Sequence, residues 1–434
     1  MNKKAIENAY LKGVKQKVAN SMGVKSKENR TIVINISEQE YPFFVQDQQI
    51  AHKIIKNQFA LHPELFPKEM GSGNMLNGRT RKSKKLAMQM RKIKIGRHSY
   101  RIRPSFILPY CRAKTSTVSK ALFLLKFGVP FWALAFVFGR NAMWWYRLYL
   151  CFHRFSIVGT TIRNKEALPT DLLADEHYIK VKGKKSYVAT TGGSNCFLGM
   201  EVCAGADELS LQAAYQVFRT EANDLDADYR PNTVNTDGWT ATQNAWQSLY
   251  PAIKVIECFL HAFLKVRDRA TKKLNDYFEP VADKIWDCYR ALSKASLAQQ
   301  IRRLKEWTIS NVPPCPMKEN ILKLCKKKKR WMEHLDFPNA HKTSNMIDRL
   351  MRAMNRHAFN SQMFHSTNCS TTKNFRAFAL LYNYAPSCPA AWDESKTLQS
   401  PAARLNGFVY HQDWLQNLMI ASSLGGFRNQ RNPL

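Results

Sequence analysis

A short stretch in the middle of the chain, Thr233-Val-Asn-Thr-Asp-Gly-Trp239, constrains the fold more than any other segment. Thr233 to Thr236 has the character of a short buried strand, and Asp237-Gly238 ends it with a carboxylate beside a turn. A helix over Thr240–Leu249 and a second apolar strand over Ile253–Cys258 follow. Catalytic groups of open α/β sheets lie at such strand ends. Because Asp-Gly is also a common turn, the role of Asp237 depends on whether other carboxylates converge on it.

The charge of the chain points to a polyanionic partner. Among 434 residues, 66 Lys and Arg face 33 Asp and Glu, which gives a net charge of +33. Such a chain repels itself unless a polyanion neutralises it, and nucleic acid is the polyanion that we expect. The length predicts two to four domains. The ten cysteines form no CxxC pair, which is typical of reduced intracellular thiols.

The stretch Ala121–Gly139 is apolar enough to suggest a membrane span. Lys126, Gly128 and Pro130 interrupt it, whereas a span requires about 20 apolar residues in a row. We therefore expect buried helices and no membrane partner. With an N-terminus that lacks the apolar region of a signal peptide, the chain is expected to be cytoplasmic and nucleoid-associated.

Residues 1–115 are predicted to form a basic N-terminal region. Residues 1–40 suggest a mobile basic arm or helix, 47–62 a short amphipathic helix, and 70–78 a loop. Two dense basic clusters follow, Arg79–Lys85 and Arg91–Arg97, and the total charge favours phosphate contact for both over a merely solvated surface. Residues 99–110 alternate like a short strand.

Residues 116–165 show the rhythm of a helix-turn-helix domain, although many helical bundles share it. Three helices are predicted, over Val118–Leu125, Pro130–Phe138 and Asn141–Phe155, with a glycine-containing turn after the first. In this interpretation the third helix enters DNA. Its DNA-facing residues would be Arg140, Asn141, Arg147 and Arg154.

From residue 171 the pattern becomes α/β. Three strands, Leu172–Val181, Ser186–Thr191 and Cys196–Ala204, precede a helix over Asp207–Asn223 and the stretch described first. The order β-β-β-α-β-α-β is that of the ribonuclease-H-like fold. The predicted class is therefore α/β, a ribonuclease-H-like mixed sheet with an all-helical insertion, preceded by a helical, helix-turn-helix-like DNA-binding region.

The catalytic core is predicted in two parts, residues 171–261 and 341–395, around a helical insertion at 262–340. A C-terminal tail at 396–434 is expected to be loose. Within the insertion a basic helix over Lys318–Leu335 carries a run that could serve nuclear import, but in this setting favours a DNA-facing surface. That run comprises Lys326, Lys327, Lys328, Lys329 and Arg330.

Three acids stand out as candidate catalytic residues. Asp175 lies in the first strand of the core, Asp237 follows the fourth, and Asp348 lies on a helix after the insertion. The first and fourth strands of a ribonuclease-H-like sheet are neighbours, and a late helix crossing the sheet would bring the third acid to the same place. Clustered carboxylates repel one another unless divalent cations neutralise them. We therefore expect two Mg²⁺ or Mn²⁺ ions, as in two-metal phosphodiester chemistry.

The motifs around these acids resemble a known class of enzymes. Asp175-Glu-His-Tyr-Ile-Lys-Val-Lys-Gly-Lys184 resembles the first-acid motif of insertion-sequence transposases. Asn235-Thr-Asp-Gly-Trp239 with Cys258-x-x-His261 resembles the D…CxxH signature of Mutator-like and related bacterial families. Thr343-Ser-Asn-Met-Ile-Asp-Arg349 resembles their third-acid motif, although Asp348 stands where the family usually has Glu. The resemblance covers roughly residues 170–390.

By this resemblance Cys258 and His261 would lie close to the active site, with His261 contacting DNA phosphate or the scissile oxygen. Half of a zinc site is an alternative for this pair, but no second CxxC or HxxxH lies nearby, and packing is common for such residues. Asp348 also has an alternative role. Asn345 as N-cap with Asp348 three residues later would form a capping-box-like pair.

The leading hypothesis is a DNA transposase that binds transposon ends through residues 1–165 and cuts with Asp175, Asp237 and Asp348. Its partners would be double-stranded DNA, both terminal inverted repeats and target, and further copies in a homo-oligomer. One alternative is a ribonuclease-H-like nuclease without strand transfer. Another is a catalytically degenerate, transposase-derived DNA-binding protein, which the shorter Asp348 would favour.

Overall fold

The computed structural model describes residues 29–84, 87–109, 113–361, 364–392, 394 and 396–427. Within them the chain is a mixed α/β protein with two sheets, each of which contains parallel and antiparallel strand pairs. The first part of the expected basic arm, residues 1–28, and the end of the tail, residues 428–434, lie outside the described residues.

The chain divides into two compact units, each assembled from separate segments. The larger unit contains residues 1–168, 176–229 and 350–434, and the smaller unit contains residues 169–175 and 230–349. One strand, Asp171–Val181, and one helix, Asn345–Asn360, contribute residues to both.

The larger unit begins with a four-stranded sheet of order β1-β4-β3-β2, which we call the N-terminal sheet. Strand β4 pairs in parallel with β1 and antiparallel with β3, which in turn pairs antiparallel with β2. Alternate residues of β3 and β4, such as Ile93 and Ile102, are buried and form the core face. The strands are β1 (Thr31–Ile34), β2 (Asn74–Arg79), β3 (Arg91–Ile95) and β4 (His98–Pro104).

This sheet corrects two expectations. The loop predicted at 70–78 is wrong from Asn74 onward, and the arm or helix predicted at 1–40 is wrong for Thr31–Ile34, because both segments are strands. Strand β2 is an edge strand whose residues are mostly exposed, so it has no alternating apolar pattern that would identify it. The strand expected at 99–110 is confirmed in its first half as β4.

The helices expected in the first 165 residues are present. The helix predicted at 47–62 is confirmed, and its N-cap Asp47 accepts a hydrogen bond from Gln49 N at 2.7 Å. The third helix of the expected helix-turn-helix ends at Leu150, earlier than predicted. In order the helices are α1 (Tyr41–Gln46), α2 (Gln48–Leu61), α3 (Thr115–Lys126), α4 (Phe131–Phe138), α5 (Ala142–Leu150) and α6 (Ile157–Thr161).

The break between α3 and α4 falls where the sequence places it. Gly128 has φ = +88°, and a Cβ there would lie 2.3 Å from Asn360 Nδ2, so glycine is required for both backbone and space. The apolar stretch Ala121–Gly139 therefore belongs to two short helices. Among the described residues, no helix is both long and apolar enough to cross a membrane.

The second sheet has five strands in the order β7-β6-β5-β8-β9. The prediction that the first and fourth strands of this sheet are neighbours is confirmed, because β5 and β8 pair in parallel. Strands β8 and β9 are also parallel, and β6 and β7 are antiparallel. The strands are β5 (Asp171–Val181), β6 (Lys184–Gly193), β7 (Cys196–Cys203), β8 (Thr233–Thr236) and β9 (Lys254–Glu257).

Three further helices of the larger unit pack on β7, and a fourth, Trp414–Ala421, packs on β1 and on neighbouring helices. Helix α7 (Glu208–Leu225) begins at Asp207, whose carboxylate accepts a hydrogen bond from Ser210 N at 3.0 Å. The expectation of a loose tail is wrong for its described part, which contains two further helices with fully buried residues such as Leu415 and Leu418. Apolar side chains of the tail are removed from water there, which favours order over mobility.

In the smaller unit, α8 (Thr240–Leu249) connects β8 to β9, and residues 262–340 are helical as predicted. These helices enclose a hydrophobic core of their own. The basic helix expected over Lys318–Leu335 is interrupted at Lys327. The helices of the smaller unit are α9 (Phe259–Arg267), α10 (Asn275–Arg290), α11 (Lys294–Asn311), α12 (Pro316–Lys326) and α13 (Lys328–Glu333). Helix α14 (Asn345–Asn360) begins in the smaller unit and ends in the larger one. The last helices of the larger unit are α15 (Asn368–Tyr384), α16 (Pro401–Asn406) and α17 (Trp414–Ala421).

Candidate active site

The first two candidate acids belong to neighbouring parallel strands or their ends. Strand register pairs Asp171 with Thr233 and Leu173 with Asn235, an offset that, if continued, would carry Asp175 toward Asp237, which directly follows β8. Thr233 Oγ1 donates to Asp171 Oδ1 at 2.6 Å, which shows that both side chains lie on one face. Since side chains alternate along a strand, Asp175 lies on this same face.

The neighbour of Asp175 points the other way. Tyr215 Oη donates a hydrogen bond of 2.6 Å to Glu176 Oε1. This contact confirms the prediction that Glu176 and Asp175 lie on opposite faces of the strand, and leaves Asp175 as the carboxylate on the site face.

The segment before helix α14 is fastened to the ends of β8 and β9. Asn235 Nδ2 donates to His341 O at 2.6 Å, and Phe259 N donates to Lys342 O at 3.1 Å. Ser344 N donates to Cys258 Sγ at 3.2 Å. These bonds fix the start of α14, and with it Asp348, against the strand ends that carry Asp237 and Cys258.

Ser344 is the shared contact of three predicted site residues. Its hydroxyl donates to Asp348 Oδ2 at 2.8 Å, lies 3.4 Å from His261 Nδ1 and accepts from Cys258 Sγ at 3.3 Å. The side chain is buried, so these contacts are shielded from competing water. Ser344 belongs to the third-acid motif, but the sequence pattern predicted no role for it. Its contacts identify Ser344 as the positioning residue of this cluster.

His261 is held in its charged form. The hydrogen bond with Cys258, together with the charges of Cys258, Asp348 and Asp237, raises the pKa of His261 to about 9 against the opposing effect of burial. Burial alone would raise the pKa of the Cys258 thiol, but hydrogen bonds from His261 and Ser344 outweigh it and lower that pKa. At neutral pH an imidazolium therefore lies among the two carboxylates.

Asp237 and Asp348 are half-buried, and each has one fixed contact. Trp239 N donates to Asp237 Oδ1 at 2.9 Å, the short-range bond of an Asp turn. Helix α14 begins at Asn345, so Ser344 precedes the helix, and the proposal of Asn345 as the N-cap is wrong. Within the part of the chain that the structure describes, neither carboxylate forms an ion pair with lysine or arginine.

A fourth carboxylate, Glu257, ends strand β9 and packs against the turn after Asp237. It is buried and paired with Lys327 and with Arg330, whose Nη1 lies 3.4 Å from Glu257 Oε2. Gly238 has φ = +92°, and a Cβ there would lie 2.8 Å from Glu257 Oε1. Glu257 was not among the residues predicted for the site. In the sequence, its position at the end of a strand is the one signal that could have identified it.

The metal-binding expectation has a limited geometric basis. No three His, Cys, Asp or Glu side chains of the described residues lie close enough together to hold a metal ion. Cys258 and His261 instead contact each other and Ser344, which fits a supporting role rather than half of a zinc site. Asn235 Oδ1, on the same face as Asp237, is buried and accepts no hydrogen bond from the described residues.

The predicted DNA-facing residues have different surroundings. Asn141 Oδ1 accepts a hydrogen bond from Trp144 N at 2.7 Å and so caps helix α5, and the Arg140 guanidinium lies 5.5 Å from the Trp144 ring centroid. Arg147 and Arg154 are exposed. In the basic run, Lys327 and Arg330 form ion pairs with Glu257, and Lys327 is half-buried. The four exposed members of that run are Lys326, Lys328, Lys329 and Arg330.

Comparisons with known proteins add no family. No protein-family model matches the chain, and no curated protein is significantly similar to it.

Proposed function

We propose that the chain is a DNA transposase that cleaves phosphodiester bonds at transposon ends and transfers the freed strand into target DNA. The observation that carries this proposal is the contact of Cys258, His261 and Asp348 with Ser344, beside Asp237, whose charge acts on His261. Ser344 and Asp348 follow the helical insertion and the other residues precede it, yet they are joined at one end of a parallel strand pair, where α/β sheets place catalytic groups.

The architecture gives further support. Strand order β7-β6-β5-β8-β9, with the first three strands of this sheet in sequence on one side and the parallel strands on the other, agrees with a ribonuclease-H-like core. The register of β5 and β8, if continued, would carry Asp175 toward Asp237. The net charge of +33 suits a DNA partner.

The donor set suits a hard divalent cation. Asp175, Asp237 and Asp348 would hold Mg²⁺ or Mn²⁺, because such ions prefer carboxylate oxygens and the two latter carboxylates lack a lysine or arginine partner among the described residues. When bound, two such ions stabilise the attacking and leaving oxygens of phosphodiester exchange.

The protein's own groups have distinct tasks in this proposal. The His261 imidazolium would donate a charge-assisted hydrogen bond to a DNA phosphate oxygen, as cationic donors do for phosphate. Ser344 would hold His261 and Asp348 in one geometry through its two contacts. Water would attack the phosphodiester at the transposon end, and the released 3′-hydroxyl would then attack target DNA.

The decisive experiment replaces Asp237 by asparagine, which preserves shape and removes the charge. We expect D237N to abolish Mg²⁺-dependent cleavage of a terminal-repeat duplex while binding the duplex as the parent protein does. Asp268, an exposed carboxylate in the same unit, supplies the matched control D268N. Unaltered cleavage by D237N would refute the proposal, and a target plasmid in the reaction separates a transposase from a nuclease, since only the former yields joined products.

A second candidate is a catalytically degenerate, transposase-derived DNA-binding protein. The hydrogen bond from Ser344 to Asp348 favours it, because this bond gives the third carboxylate a structural role at the start of α14. The two candidates differ in one measurement. Specific duplex binding without any cleavage, in Mg²⁺ or Mn²⁺ and for both the parent protein and D348E, would establish the degenerate form.

A further inference from the structure

A cavity of about 570 Å³ lies against the N-terminal sheet of the larger unit, in a part of the chain that carries none of the candidate acids. This volume is typical of small-molecule sites, which span roughly 300–1,000 Å³. Five cationic side chains line the cavity, and none of the described lining residues is acidic. The cations are Arg81, Lys82, Lys84, Arg101 and Arg103.

These cations come from two segments of the chain. Arg101 and Arg103 alternate along β4 on the face opposite the buried Tyr100 and Ile102. Arg81, Lys82 and Lys84 follow β2, beside Ser83, whose backbone N donates to Met88 O at 2.8 Å.

Four of the five cations have no carboxylate partner among the described residues. Arg81, Lys82, Lys84 and Arg101 are exposed, and none of them forms an ion pair with the described residues. Neighbouring like charges repel one another, and a bound anion relieves this repulsion. Guanidinium and ammonium groups together match the several oxygens of a phosphate.

The remaining lining is mixed, with an apolar part beside the polar residues Asn29, Thr31, Ser83 and Ser422. Ile107, Leu108 and Phe155 are buried at the wall of the cavity, and Met90 is half-buried beside them. A free inorganic anion gains no binding energy from apolar side chains, whereas the planar base of a nucleotide packs well on aromatic and aliphatic side chains.

We propose that this cavity binds a single nucleotide, with its phosphate on the cationic rim and its base against the wall formed by Ile107, Leu108 and Phe155. The nucleotide can come from two sources, either free in solution or as one unit of a nucleic acid strand. The site is independent of the proposed catalytic function, because it shares no residue with it.

The test uses the full-length chain and the substitution Arg101→Gln, with Arg97→Gln as the matched control. Both arginines are exposed and belong to the β3–β4 hairpin, but Arg97 does not line the cavity. Binding is measured by calorimetry with thymidine 5′-monophosphate, thymidine and inorganic phosphate, and by fluorescence anisotropy with a labelled single-stranded oligodeoxynucleotide. Thermal melting verifies that both variants are folded.

We expect R101Q to weaken binding about tenfold or more, the loss that accompanies removal of one charged hydrogen bond, while R97Q stays near the parent value. A loss with the free monophosphate identifies a free nucleotide as the ligand, and a loss with the oligonucleotide alone identifies a nucleotide within a strand. Equal losses for R101Q and R97Q would refute the site, since general attraction would then suffice. Inorganic phosphate binding as tightly as the monophosphate would refute the base-binding wall.

Discussion

A buried carboxylate of the larger unit and the two candidate acids Asp237 and Asp348 of the smaller unit have contrasting surroundings. In the larger unit Glu221 is buried, accepts hydrogen bonds from Ser156 Oγ at 2.9 Å and Val158 N at 3.1 Å, and forms an ion pair with Arg376. In the smaller unit Asp237 and Asp348 have no lysine or arginine partner among the described residues. Glu221 is thus neutralised by an arginine of the fold. Asp237 and Asp348 have no such partner, which is what the proposed binding of a divalent cation requires.

Two histidines, one in each unit, have pKa values shifted in opposite directions. His357 in the larger unit is buried against Tyr149 and Asn374, and burial lowers its pKa to about 4, so it is neutral at pH 7. His261 in the smaller unit has a pKa raised to about 9, chiefly by its hydrogen bond with Cys258. The same side chain is thus a neutral packing element in one unit and a cation in the other.

The largest expected effect tests the carboxylates by stability. Glu221→Gln should lower the free energy of unfolding by about 3–5 kcal/mol, because it leaves the buried Arg376 without its counterion. Asp237→Asn and Asp348→Asn should each change it by less than about 1 kcal/mol, since each removes only one of several contributions that stabilise the charged His261. Urea denaturation of the three variants measures this, and a large loss for D237N would make that carboxylate structural.

The next effect tests the histidines by pH. The folded-state pKa of His357 lies below its unfolded value of about 6.5, so the unfolded state binds the extra proton and stability falls as pH drops from about 6.5 to 4. The loss over this window should reach about 3 kcal/mol. In His357→Gln the acid limb of stability against pH should become shallower, and an unchanged limb would contradict the assignment. His153, whose pKa burial also lowers to about 4, adds a similar loss that this variant retains.

A smaller effect concerns the positioning residue. Ser344→Ala should cost about 1 kcal/mol of stability, the typical value of a hydrogen bond, and should slow cleavage more than it weakens DNA binding. Ser344→Thr, which keeps the hydroxyl, should restore both. Chemical denaturation and single-turnover cleavage measure the two effects, and a variant that loses stability but cleaves normally would limit Ser344 to the fold.

The smallest effect is electrostatic. Asp348→Asn should lower the pKa of His261, because the Asp348 charge contributes to its elevation. The imidazole signals can be followed by NMR as a function of pH, with Asp268→Asn as the control that should leave them in place. A pKa that does not move in D348N would mean that the two side chains do not interact in solution.

Local patterns predicted much of this structure. Thr233–Thr236 and Thr240–Leu249 were predicted with their observed bounds, because a β-branched run, a turn and a proline break delimit them. The parallel pairing of β5 with β8 follows from the order of elements.

Contacts between distant residues were not predictable in the same way. Ser344 and Cys258 are 86 positions apart, and nothing local to either reveals their bond. Lys327 and Arg330 look like unpaired surface cations in the sequence, and nothing local reveals their ion pairs with the buried Glu257, which is 70 positions from Lys327. Strand β2 owes its conformation to pairing with β3 rather than to its own composition.

Because Glu257 packs against Gly238, the substitutions tolerated at position 238 depend on the residue at position 257. A side chain at position 238 would have to adopt an unfavourable positive φ and also displace a buried carboxylate that binds two cations. A shorter residue at position 257 would have to appear first. The two positions therefore form an epistatic pair. The order in which they are substituted decides whether the turn after Asp237 keeps its conformation.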